Sequence, residues 1–144
     1  MNAFRIAALV AAAATLPTVT VHAPRADLTL EVARTAPQRE RGLMDRAAVA
    51  PHTGMIFVFE NDDPVEFWMK DTLEPLDMIF IGADGKIRNV YANVPVVAAG
   101  TSDDAIPRED GAAKYVIELA AGEAAADGIV AGTTLDLRGV PPAR

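Results

Sequence analysis

Between Phe67 and Asp77 the chain reads Phe-Trp-Met-Lys-Asp-Thr-Leu-Glu-Pro-Leu-Asp, setting an indole, an ammonium, a hydroxyl and three carboxylates within eleven residues. These groups suit a polar-ligand site, with an aromatic platform for an apolar face and hydrogen-bonding groups for a polar edge. Strand alternation places Phe67 and Met69 on one side and Trp68 and Lys70 on the other. With the first side in the core, Trp68 and Lys70 point together into a groove, beside Asp71, Thr72, Glu74 and Asp77. A structural role competes with this one. Trp68 is then a core anchor, Lys70 pairs with Asp77 or Glu118, and Pro75-Leu76-Asp77 shapes a turn.

Most nucleophilic chemistry is missing from the inventory. The absence of Cys excludes disulfides, thiolate metal sites and cysteine nucleophiles. Beyond residue 23 there is one His, His52, and one Ser, Ser102, and Ser102 has no nucleophile-elbow context. No phosphate loop, dinucleotide fingerprint, zinc spacing or EF-hand loop occurs, so neither cofactor nor metal is expected. Met44, Met55, Met69 and Met78 with His52 could offer soft ligands to Cu(I), but each Met lies in an apolar run where it serves to fill core gaps. Glu66, Asp71, Glu74 and Asp77 are close enough in sequence for a paired-carboxylate hydrolase, yet nothing separates their acidities.

The elements that must position these groups read as strands. Leu28, Leu30 and Val32 alternate with Thr29 and Glu31, the period of a strand with one buried face. Pro37 to Arg41 predicts a short helix. Met55 to Phe59, Val65 to Met69, Leu76 to Ile81, Ile87 to Val94, Tyr115 to Leu119 and Thr133 to Leu137 predict strands. Turns are expected at Asn61–Pro64 and Thr72–Pro75, and a hairpin at Asp84-Gly85, where Gly supplies a positive φ. Pro95 to Gly111 reads as a long surface loop, and Ala120 to Asp127 as a second short helix stopped by Gly128. The expectation is a mainly β domain, a small antiparallel β-barrel or sandwich with two short α-helices.

At 144 residues, 51% of them apolar and 23% charged, the chain is sized for one domain. Met1–Arg5, apolar Ile6–Leu16 and Val21-His22-Ala23 have the pattern of a signal peptide over 1–23, too short in its apolar part to span a bilayer. An uncleaved anchor is the other reading. The domain then occupies 24–144, with an ordered core over about 28–138, and export to the periplasm or beyond is expected without stable membrane insertion. The net charge is −7, and removing a leader takes away Arg5 and no acid. Such a surface repels phosphate backbones and anionic lipid, so no nucleic-acid partner is expected.

Several blocks carry a resemblance. Arg41-Gly42-Leu43-Met44, Gly54-Met55-Ile56-Phe57-Val58-Phe59, the segment Phe67 to Asp77, and Tyr115-Val116-Ile117-Glu118-Leu119-Ala120-Ala121-Gly122 are similar to the hallmark blocks of the domain-of-unknown-function 192 family, over about Leu28 to Leu137. The resemblance implies a compact mainly β fold, often behind a signal peptide, and no known activity. One departure is Asp71, where Asn is expected; a carboxylate cannot repeat an amide's donor bond unless protonated. The candidate ligand-binding residues are Trp68, Lys70, Thr72 and Asp77, with Arg41 and Glu118 from the flanking blocks. The expected function is a non-catalytic binding or accessory module for a small polar ligand or envelope component. The alternatives are a carboxylate-dependent enzyme on sugar or cell-envelope substrates and methionine-based copper binding.

Overall fold

The structure is a computed structural model and describes residues 15–144. The expected leader lies outside the described residues up to position 14. The described strands are β1 (Thr18–His22), β2 (Asp27–Ala33), β3 (Thr53–Phe67), β4 (Leu76–Ile81), β5 (Ile87–Val94) and β6 (Glu109–Ala120). Two short helices accompany them, α1 (Ala36–Arg41) and α2 (Glu123–Ala126), with one 3-10 turn at Asp103–Ala105. The protein is mainly β, as its apolar patterning predicts.

The strands form one sheet in the order β1-β2-β3-β6-β4-β5, with open edges at β1 and β5 rather than barrel closure. All neighbours are antiparallel except β2 and β3. That parallel pair follows from the crossover after β2, which contains α1. A capping box starts the helix: Gln38 N–H donates to Thr35 Oγ1, and Thr35 N–H donates to Gln38 Oε1.

Alternation along the central strands sorts side chains into two apolar clusters, one on each face. Leu28, Leu30, Ile56, Ile79, Ile81, Ile117 and Leu119 enter the first, which Ile129, Leu135 and Leu137 of the carboxy-terminal segment complete. Phe57, Met55, Met78, Phe80 and Val116 enter the second, closed by Leu43 after α1 and by Phe67 and Met69. Every residue of β4 is buried, as befits a strand covered on both faces.

The sheet departs from the expected elements at three places. Asn61-Asp62-Asp63-Pro64 is not a turn; β3 continues through it, with its register against β6 shifting between Val58 and Asp63. Side chains satisfy this bulge. Lys114 Nζ donates to the carbonyls of Phe59 and Glu60, and Asp62 accepts from Arg88 and from Ala83 N–H. Correspondingly, β6 starts at Glu109, inside the stretch expected to be loop. The expected last strand, Thr133–Leu137, contributes one isolated bridge between Thr134 and Lys86. The Asp84-Gly85 turn forms as expected, with Gly85 at φ 80° and the Leu135 carbonyl 2.3 Å from where a Cβ would stand.

The third departure concerns the amino-terminal boundary. Thr18–His22, inside the segment expected to be removed, is β1, paired residue by residue with β2 from Glu31 to Asp27. Val21 is 1% exposed in the first cluster. Removal of residues through Ala23 therefore strips an edge strand and uncovers β2. A chain beginning at Pro24 should be less stable in urea than one beginning at Thr15. The expected loss is at least about 2 kcal/mol, the burial of Val21 alone being worth about 1.5–3 kcal/mol.

Candidate functional site

On the face of the second cluster, α1 and the loop after it stand opposite the end of β3 and the residues that follow. Between them lies a pocket of about 380 Å³. Its floor comes from β3 and β6: Phe57, Phe67 and Glu118. One wall carries Arg39, Arg41 and Met44, and the other Glu66, Trp68, Lys70 and Thr72. Phe57 and Phe67 meet edge to face with centroids 4.9 Å apart, which fixes both rings at the base.

Glu118 is the unusual member. In register it lies between Met55 of β3 and Met78 of β4, and it is 5% exposed. Its carboxyl has no hydrogen-bond or ion-pair partner among the described residues, and burial alone pushes its pKa up to about 8. At neutral pH it is therefore largely protonated, an O–H donor beside the aromatic floor of a pocket whose walls are mixed in polarity. The cations at the rim are engaged elsewhere. Arg39 donates to the Arg34 and Val58 carbonyls and lies over Phe59, Arg41 pairs with Asp45 at 3.0 Å, and Lys70 Nζ is 2.9 Å from Asp103.

Trp68 and Lys70 do share the groove side, while Phe67 and Met69 turn into the core, as the alternation predicts. Trp68 is half-buried and is not an unencumbered platform: Arg108 Cζ lies 4.1 Å and Lys70 Nζ 5.1 Å from its ring centroid. Thr72 Oγ1 donates to the Lys70 carbonyl at 3.0 Å, shaping the turn while lining the pocket. Arg41, Trp68, Lys70, Thr72 and Glu118 thus meet around one pocket.

Asp77 does not join them, and its place is a correction to the predicted groove. It is fully buried and shares the parity of Ile79 and Ile81, which aims it at the sheet face opposite Glu118. There it accepts from the backbone N–H groups of Asn93, Gly122 and Ala124 at 2.9, 3.0 and 2.9 Å, tying β4 to the end of β5 and the start of α2. Asp71 is exposed, with φ at 50°, and its carbonyl accepts from Asp45 N–H. Asp and Asn both tolerate that left-handed backbone, so the acid keeps the turn at this position. Met55, Met69 and Met78 are buried in the second cluster and pack as apolar side chains; Met44 lines the pocket.

Sequence reasoning overlooked Arg39 and Phe57, and weighed Glu66 only as one of a possible carboxylate pair. Their signals were present but weak. Arg39 and Arg41 are two apart in a short helix, and Glu66 is a charge at the end of an apolar strand.

The model of the domain-of-unknown-function 192 family, described as "Uncharacterized ACR", matches residues 18–137. The chain belongs to this family. No functionally curated protein matches it. Among solved structures, it is similar to a candidate transcription regulator from Sinorhizobium meliloti 1021, at 37% identity and a TM-score of 0.74 over 87% of this chain and 97% of that one. It is also similar to a protein of unknown function from Novosphingobium aromaticivorans DSM 12444, at 32% identity and a TM-score of 0.67 over 94% and 99%. The family match begins at Thr18, the first residue of β1.

The two buried acids of the sheet should answer differently to mutation. Asp77→Ala should cost at least about 3 kcal/mol, because three backbone donors lose a charged acceptor. Trp68→Ala should cost about 1–2 kcal/mol, the scale of partial burial and two cation contacts. Urea denaturation of the two variants checks the order. For Glu118, the unfolded carboxyl ionises near 4.5 and the folded one near 8. Between those values the folded state holds the extra proton, so wild-type stability falls as pH rises and levels off above about 8. Glu118→Gln removes this term. Its stability relative to wild type should climb by up to about 1.4 kcal/mol per pH unit across the window, measured by denaturation at pH 5, 6.5, 8 and 9.

Proposed function

We propose that the protein is an exported, non-catalytic binding module whose pocket takes a small ligand on the protonated carboxyl of Glu118. The observation that carries this reading is a carboxyl at 5% exposure that has no protein partner among the described residues and lines the pocket. Its oxygens are not sealed off like Arg34 Nε, so what enters the pocket reaches them and can accept its proton in a hydrogen bond. The neutral acid donates one hydrogen bond, so the ligand offers an acceptor there: a carbonyl, hydroxyl or carboxylate oxygen. Phe57, Phe67 and Met44 suit an apolar body, and Lys70, Thr72 and Arg41 suit a polar edge near the mouth. A leader is removed, on this reading, ahead of Thr18, which leaves β1 in the mature domain.

A binding role fits better than catalysis because no second group in the pocket is matched to Glu118 as nucleophile or base. Glu40 and Glu66 line the same space, and a carboxylate-dependent hydrolase would have to use one of them. A role in transcription, suggested by the name of the Sinorhizobium relative, draws no support from the charge of −7. Helices of six and four residues are also short for reading a DNA groove.

A melting-shift screen of the mature protein against small carboxylates, glycans and peptidoglycan fragments at pH 6 and pH 9.5 tests the reading. A ligand at a hundred times its dissociation constant should add about 2.7 kcal/mol at pH 6. The effect should fade above about pH 8, where Glu118 loses its proton. In Glu118→Gln, which keeps an N–H donor, binding should persist at pH 9.5. Binding indifferent both to pH 8 and to Glu118→Ala would sink the proposal, and turnover of a bound glycan would replace it with the hydrolase.

A further inference from the structure

Away from the pocket, His52 precedes β3 while Glu123 and Asp127 lie four residues apart at the two ends of α2. One donor atom from each lies within 4.8 Å of the others. His52 Nδ1 is 3.1 Å from Asp127 Oδ1 and 3.5 Å from Glu123 Oε2. We propose that His52, Glu123 and Asp127 form a binding site for a divalent cation of the zinc class, with a fourth position open to solvent beside the half-exposed imidazole.

Three observations carry this. The first is spacing. Tetrahedral zinc with bonds of about 2.0–2.2 Å holds neighbouring donors roughly 3.3 Å apart; the imidazole already stands at that separation from both carboxylates, and the two carboxylates are within 4.8 Å of each other. The second is charge. Asp127 is 1% exposed, and its carboxylate has no partner outside the cluster among the described residues. No Lys or Arg pairs with it or with Glu123 there. The nearby Arg25 guanidinium is directed to the Ala125 carbonyl instead. Buried carboxylates are ordinarily paired or bound to metal. The third is rigidity. Asp77 holds the N–H groups of Gly122 and Ala124, which fixes the start of α2 and with it the bearing of Glu123. An imidazole in the donor set favours zinc over the hard cations Ca²⁺ and Mg²⁺.

The test is titration of the EDTA-treated, dialysed protein with ZnCl₂ by calorimetry, alongside melting curves. One Zn²⁺ per chain should bind and raise the melting temperature. His52→Ala, a change at a partly exposed side chain, should weaken binding at least tenfold and abolish the rise. Asp127→Asn should do the same wherever it folds. His22→Gln, at the other histidine, and Glu118→Gln should both bind as wild type does. Millimolar CaCl₂ should not displace the zinc. Absence of saturable binding, equal affinity in His52→Ala, or displacement by Ca²⁺ overturns the proposal.

Discussion

The pairing of β3 with β6 is the contact on which the remaining structure hangs. These are the two longest strands, and they run antiparallel from Gly54 against Leu119 to Phe67 against Glu109. β2 joins the far side of β3, and β4 the far side of β6, so each arm of the sheet is attached through this pair. The approach is tight at one end. A Cβ on Gly54 would come within 2.0 Å of the Glu118 carbonyl, so any side chain there would push the strands apart at the residue that floors the pocket. The same pairing fixes parity, and parity decides which side chains enter which cluster.

Parity also separates the two buried acids of the sheet. Asp77 and Glu118 stand on neighbouring strands, one register step apart, and face opposite ways. Asp77 meets three backbone donors and works as a clasp between β4, β5 and α2. Glu118 meets methionines and aromatic rings, where ionisation is opposed by desolvation. The same carboxyl chemistry thus yields a structural anchor on one face and a donor opening into the pocket on the other. The surroundings decide, and they are brought from elsewhere in the chain: Asp77's donors lie 16, 45 and 47 positions away, and Glu118 sits between Met55 and Met78 of other strands.

Much of this was legible in the sequence because it depends on near neighbours. The period-two run gave β2, the short apolar runs gave β4 and β5, and the alternation of Phe67, Trp68, Met69 and Lys70 placed an indole and an amine on the groove side. Glu118 entered as a candidate through its place in a flanking block of the resemblance. The bulge did not read through, since Asn61-Asp62-Asp63-Pro64 has turn composition and needs Lys114 and Arg88 to hold it in the sheet. Asp77 was misplaced because the residues between Thr72 and Leu76 reset the alternation begun at Phe67. β1 was hidden behind a leader-like composition, although Val19 and Val21 alternate with threonines in it.

The spatial order of the sheet differs from the order of synthesis. β6 is the last strand made, yet it lies between β3 and β4. Until Glu109–Ala120 leaves the ribosome, the sheet lacks its middle, and β3 and β4 remain two raw edges with no common partner. Pairings between residues so far apart close slowly. The two halves of the sheet, β1–β2–β3 and β4–β5, can therefore be joined only once the last described strand is made.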